Sequence, residues 1–224
     1  MLKRHWKFWL GFSAALGGIL AIAVVALARP SSSPTIRAAN APSVPAASAV
    51  GALNRPATAA DALPPEAAAI AGALLNGAPS ASSDANPGSL TSSKSRRLLS
   101  GLGSRGVSLY AIPTSKGAVC TVFSVAYGSA GCFDRFTDEA PVSVDVRDVD
   151  QVGGGLPAIV DGLAPSNVKA IEVTVNGQRH SATLANNAFF YELAPSSSWP
   201  QTVTITYRNG ATRTLSLAAA PTAH

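Results

Sequence analysis

Between residues 107 and 217 short runs of alternating or β-branched residues are separated by turn formers at intervals of about 8 to 12 residues, the spacing of an all-β domain. The runs predict strands at 107–112, 119–125, 132–136, 142–146, 157–162, 168–175, 179–184, 189–193, 202–207 and 212–217. Successive strand side chains point to opposite faces. Phe189 and Tyr191 therefore share one face and Phe190 and Glu192 the other, while Val203 and Ile205 turn inward and Thr202, Thr204 and Thr206 outward. Asn176-Gly177 and Asn209-Gly210 each lie between alternating runs, and Asn-Gly accepts the positive φ angles of a two-residue hairpin turn. Seven of the strands fall within 142–217 with short turns and no helix, the pattern of a small immunoglobulin-like β-sandwich in a mainly β chain. The earlier strands are expected to extend that sandwich.

Ahead of the strands the pattern changes. Leu90, Lys94, Arg97, Leu98 and Leu102 recur at helical spacing, with Gly101 and Gly103 as stops, which predicts one short helix over 90–102 leading into the β-domain. Residues 29–89 hold nine of the sixteen prolines, much Ala and Ser and no aromatic residue, so they are expected to form a disordered Ala/Pro-rich tether. Within it, 65–75 is a helical patch: Pro65 and Glu66 suit a first turn, and Asn76-Gly77 a stop. Residues 218–224 are expected as a disordered tail.

The run 8–28 carries no charge over 21 residues. As a helix it is roughly 30 Å long, the thickness of a bilayer's hydrocarbon core. Lys3, Arg4 and Lys7 precede it, and Trp6, Trp9 and Phe12 sit where interfacial aromatics anchor a span. This pattern predicts a transmembrane signal anchor at 8–28, a cytoplasmic tail at 1–7 and an extracytoplasmic β-domain in a single-pass protein of the cell membrane. Ala26-Leu27-Ala28 has the form of a signal-peptidase site, so a secreted domain released by cleavage at Ala28 is the alternative. The apolar run is longer than the roughly 7 to 15 residues of a signal-peptide core, which favours the uncleaved anchor.

The net charge of +5 does not belong to the β-domain. From residue 106 onward seven Lys/Arg stand against nine Asp/Glu, a balance of −2. A nucleic-acid partner needs a basic face, so that class is excluded. Cys120 and Cys132 are the two cysteines; their spacing fits neither a four-thiolate metal site nor C-x-x-C chemistry, and outside the cytoplasm it predicts a structural disulfide.

Catalytic signals are absent from the pattern. No Gly-x-Ser-x-Gly elbow, Walker phosphate loop, His-Glu-x-x-His or His-x-x-x-His run occurs. His180 adjoins Ser181, but neighbours in a strand face opposite ways and cannot form a dyad. Asp145, Asp148 and Asp150, followed by Gly153, Gly154 and Gly155, form the densest polar feature. Carboxylates in a flexible loop could ligate calcium, although the spacing is not that of an EF-hand and Arg147 lies among them to neutralise one charge. A solvated loop is the simpler expectation, and neither a catalytic residue, a resident metal nor a cofactor is assigned.

The apolar run 8–28, the Ala/Pro tether, the Cys120/Cys132 pair and the segments 157–165 and 173–177 resemble uncharacterised bacterial membrane-anchored envelope proteins with an immunoglobulin-like external module. The resemblance is one of architecture and carries over no functional residue. It implies an envelope protein that binds a protein or polysaccharide, or serves as an accessory subunit, without catalysis. The competing expectation is an envelope hydrolase using Asp145, Asp148, Asp150 or His180.

Overall fold

The computed structural model describes residues 43–75, 88–125, 130–147, 157–195 and 197–217. The expected anchor at 8–28 and the tail at 218–224 lie outside the described residues, and no described helix is long and apolar enough to cross a membrane.

In chain order an N-terminal arm contains β1 (Val44–Pro45), α1 (Ala46–Ala49), two short 3-10 turns and α2 (Pro65–Leu75). Then follow β2 (Arg96–Leu102), β3 (Val107–Pro113), β4 (Val119–Phe123), β5 (Gly131–Phe133) and β6 (Arg135–Phe136). The remaining strands are β7 (Asp145–Arg147), β8 (Ile159–Leu163), β9 (Val168–Val175), β10 (Gln178–Ser181), β11 (Thr183–Ala185), β12 (Ala188–Glu192), β13 (Thr202–Tyr207) and β14 (Thr212–Ser216). The chain is mainly β, and all its named strand pairs are antiparallel.

The last eight strands make two sheets, ordered β11-β12-β8-β7 and β10-β9-β13-β14. Val160 and Phe189 from the first pack against Ile171, Val173, Val203 and Ile205 from the second, closing a sandwich-like core. The predicted single strand 179–184 is two strands. The chain breaks at Ala182 and crosses from the second sheet to the first, as strands do where two sheets meet at a corner.

Strands β2 to β5 do not extend this pair, contrary to expectation. They form a third sheet, ordered β2-β3-β4-β5, that covers the outer face of the β7-containing sheet. Leu99, Leu109 and Phe123 meet Ile159, Leu163 and Phe190 in that second core. The middle sheet is thus covered on both faces at its centre, where all five residues of β8 are buried, while Thr183 and Ala185 on the edge strand β11 stay exposed. Ile159, Asp161 and Leu163 look one way and Val160 the other, as a two-residue period requires.

The predicted helix at 90–102 is not formed. Only Ser92–Lys94 makes a 3-10 turn, and Arg96–Leu102 is strand β2. Register shifts between Arg97 and Leu99 and between Leu99 and Leu102, with Gly101 at φ +66°, bring Leu98, Leu99 and Leu102 all into the core. Two irregularities in the ladder imitate helical spacing.

Nor is the whole of 29–89 a disordered tether, because residues 43–75 pack on the β-domain. α2 matches the predicted patch at 65–75, and its Ala67 and Ala71 lie on Tyr110, Ile112 and Val122, on the face of the third sheet turned away from the sandwich. Ala46, Val50 and Ala52 enter the second core. Small alanines allow this close approach, and a polar latch fixes it. The buried Asp61 carboxylate accepts from the Arg55 guanidinium, from Thr58 N and Oγ1 at 2.7 and 2.9 Å, and from Arg97 N at 2.8 Å. The Arg55 pairing and the converging donors hold its carboxyl well below the usual carboxylate range. The same bonds cap the outer edge of β2, an edge that would otherwise expose its backbone.

Hairpin turns place the other contacts. Asn176 and Gly177 both have positive φ and join β9 to β10 as predicted. At Asn209-Gly210 the hairpin forms, but only Gly210 has positive φ, so the turn is not of the Asn-Gly type expected. Asn186 and Asn187, unmarked in the sequence, supply a further positive-φ pair between β11 and β12. Asn186 Nδ2 donates to Leu98 O; Asn187 Oδ1 accepts from Ala52 N, and its Nδ2 donates to Ala164 O and Ser166 Oγ. One turn therefore ties the sandwich to β2 and to the arm. Asn187→Ala removes three bonds at a left-handed residue and should lower stability by about 2 kcal/mol, read as a reduced urea midpoint.

Candidate functional site

A groove of about 770 Å³ opens between the arm, the segment after β6 and the tip of the β13–β14 hairpin. Its walls are fixed by backbone bonds. Tyr207 N donates to Ala211 O and Gly210 N to Tyr207 O, closing the hairpin tip, while Arg208 N and Nε donate to Asn167 O and Ser166 O. Opposite, Ala46 N donates to Asp134 O and Ala47 N to Gly117 O, and β1 pairs with β6 at Val44↔Phe136. Thr137 N and Ala140 O close the turn that carries Asp138.

The half-buried Tyr207 sits among Asp138, Asn167, Thr212 and Arg213 on the groove lining. Burial raises its phenol pKa, Arg213 pulls it down and Asp138 pushes it up, so both charges act on the same ring. Asp138, Arg213 and the Asn167 side chain have no hydrogen-bond or ion-pair partner among the described residues. Val44, 40% exposed, is the large apolar side chain left open to solvent among the described residues, and it too lines the groove. Four chain segments assemble this surface. Nothing in the local pattern of any one of them marks it.

The residues singled out in the sequence lie elsewhere. Asp145 is on β7, directly opposite Asp161 on β8, and Arg147 Nε donates to Asp161 Oδ1 at 3.0 Å with its Nη2 3.7 Å from Asp145 Oδ2. Arg147 also lies over the Phe123 ring at 5.6 Å, bridging the middle and third sheets. The Asp145 carboxylate is thus engaged by a guanidinium; Asp148 and Asp150 lie outside the described residues. The described residues hold no group of three or more metal-ligating side chains. Asp161 is fully buried and its Oδ2 lacks a hydrogen-bond partner. Enclosure pushes its carboxyl up to about 6; Arg147 opposes that rise and Asp145 adds to it.

His180 lies on β10, in the far sheet, stacked on Tyr191 with ring centroids 5.5 Å apart. Ser181 is paired with Glu172 on the outer face, whereas His180 is opposite the core residue Val173, so the two do face apart. The structure does not bring His180 and Asp145 together: His180 packs on Tyr191 on the sandwich face of the middle sheet, whereas Asp145 is opposite Asp161 on the face turned to the third sheet. Cys120 and Cys132 are directly opposite on β4 and β5 and form the expected disulfide. No family model, no curated protein and no solved structure matches the chain.

Proposed function

We propose that this chain is a single-pass, membrane-anchored binding or accessory module of the cell envelope, with no catalysis of its own and with its β-domain outside the cytoplasm. The groove at the β13–β14 hairpin tip is the observation that carries the reading: a preformed concavity whose Asp138, Arg213 and Asn167 side chains have no hydrogen-bond or ion-pair partner among the described residues. The uncharged run 8–28 supports the anchor, and the disulfide fits an oxidising compartment. Strand order supports an immunoglobulin-like type for the sandwich. β7-β8-β12-β11 facing β10-β9-β13-β14, with consecutive strands entering the two sheets in alternating pairs, follows the Greek-key order of that class plus one edge strand. Such a fold hosts many functions, so the reading rests on the groove.

The test is co-sedimentation of the detergent-solubilised full chain with a purified envelope fraction stripped of its lipids, so that the run 8–28 cannot itself retain the chain. Retention is expected for the native protein and should fall by about tenfold in an Asp138→Asn, Arg213→Gln double variant, a loss of roughly 1.4 kcal/mol. Equal retention of both proteins, or of neither, would refute the binding role of the groove.

A further inference from the structure

We infer that the groove takes a neutral glycan, a short run of sugar rings lying against Tyr207 between Asp138 and Arg213. This rests on the groove being the binding site proposed above, and names the chemistry of its ligand.

Charge sets the first limit. The lining holds one carboxylate, Asp138, and one guanidinium, Arg213, so it has no net charge with which to select a phosphate or a polyanion. An anionic ligand would meet Asp138, and a cationic one Arg213. A neutral ligand with hydroxyl groups satisfies both, because a hydroxyl donates to a carboxylate and accepts from a guanidinium. The Asn167 amide offers a donor and an acceptor beside them.

Shape sets the second. A sugar ring has C–H faces between its hydroxyl edges, and Tyr207 and Val44 supply apolar surface in a lining otherwise rich in polar side chains. The volume of about 770 Å³ lies in the range of small-ligand clefts and accommodates several rings. An extended peptide is less well served. Recognition by strand addition needs free backbone N–H and C=O groups, and those at the hairpin tip and the 137–140 turn are bonded within the protein: Tyr207 N to Ala211 O, Gly210 N to Tyr207 O, Thr137 N to Ala140 O.

The experiment titrates the isotopically labelled full chain with three neutral trisaccharides, chitotriose, cellotriose and mannotriose, and in parallel with triglycine and with inorganic phosphate, following backbone amide resonances. At least one trisaccharide is expected to shift the amides of Thr137, Asn209 and Thr212 with a dissociation constant of about 1 mM or tighter. Asp138→Asn, an exposed change that leaves the core untouched, should weaken this binding about tenfold, as should Tyr207→Leu, which keeps apolar bulk but removes the ring. The inference is overturned if no trisaccharide moves these resonances, if triglycine or phosphate moves them at equal or lower concentration, or if both variants bind as the native chain does. Loss of the trisaccharide response with envelope co-sedimentation still dependent on Asp138 and Arg213 would overturn the glycan alone and leave the binding role standing.

Discussion

Arg147→Met should cost the fold about 3–5 kcal/mol at neutral pH, the usual penalty for removing one partner of a buried ion pair, and distinctly less at pH 5. The reason lies in Asp161, which is completely enclosed and has one oxygen without a partner. With Arg147 present its carboxyl already titrates at about 6, above the ordinary value near 4. The folded state therefore takes up a proton more readily than the unfolded state. The penalty is absent below about pH 4, builds up to about pH 6 and is constant above it. Without the guanidinium only desolvation and the Asp145 charge remain, both of which raise the carboxyl further, so the penalty keeps growing beyond pH 6. Chemical denaturation of native and variant chains at pH 5 and pH 8 measures this. A loss that is the same at both pH values would mean that Asp161 is not the group responsible.

Asp61→Ala should destabilise the protein by about 3 kcal/mol and release the arm from β2 before the sheets unfold. The carboxylate collects the Arg55, Thr58 and Arg97 donors in one buried place, and alanine leaves Arg97 N and Thr58 N unsatisfied. Hydrogen exchange at residues 50–63 should rise at least about tenfold while β9 and β13 keep their protection. The pH dependence has the opposite sign to that of Asp161. A carboxyl held below its unfolded value adds stability above about pH 4 and loses it as the pH falls through its folded value. Together the two aspartates put the contribution they make at its highest near pH 4, and the Asp61→Ala chain should lose the acid limb of that profile.

How much of this was legible in the sequence depends on which faces of an element are buried. β9 and β13 turn Val and Ile to the core and mainly polar residues to the other face, so alternation gives their bounds, 168–175 and 202–207, without error, although Thr204, expected outward, is buried against Thr214. β8 is legible as a strand, but its burial on two faces is not, because Asp161 and Gly162 interrupt the apolar run expected of such a strand. A Cβ at Gly162 would collide with the Ser143 carbonyl oxygen and the Phe189 ring, which explains the glycine only once the layers are known. The arm is hidden for another reason. Alanines bury little area each and give a weak periodic signal, and the Asp61 latch joins groups as far apart in sequence as Asp61 and Arg97. The groove draws on four segments, so no spacing rule reaches it. Disulfide formation needed only two cysteines on consecutive predicted strands.

The described chain enters the folded body at Ser43, beside the groove, and the first holds it meets are the two-residue pairing of β1 with β6 and the bonds from Ala46 and Ala47. A pulling force applied at that entry point is resisted there before it reaches the long ladders of β9, β13 and β14. Val44, Ser48 and Ala49 are both the first links under load and one wall of the cleft. Tension applied at Ser43 would thus open that wall while the sheets stay intact, so the width of the cleft and the load on the first strand are coupled at a single junction.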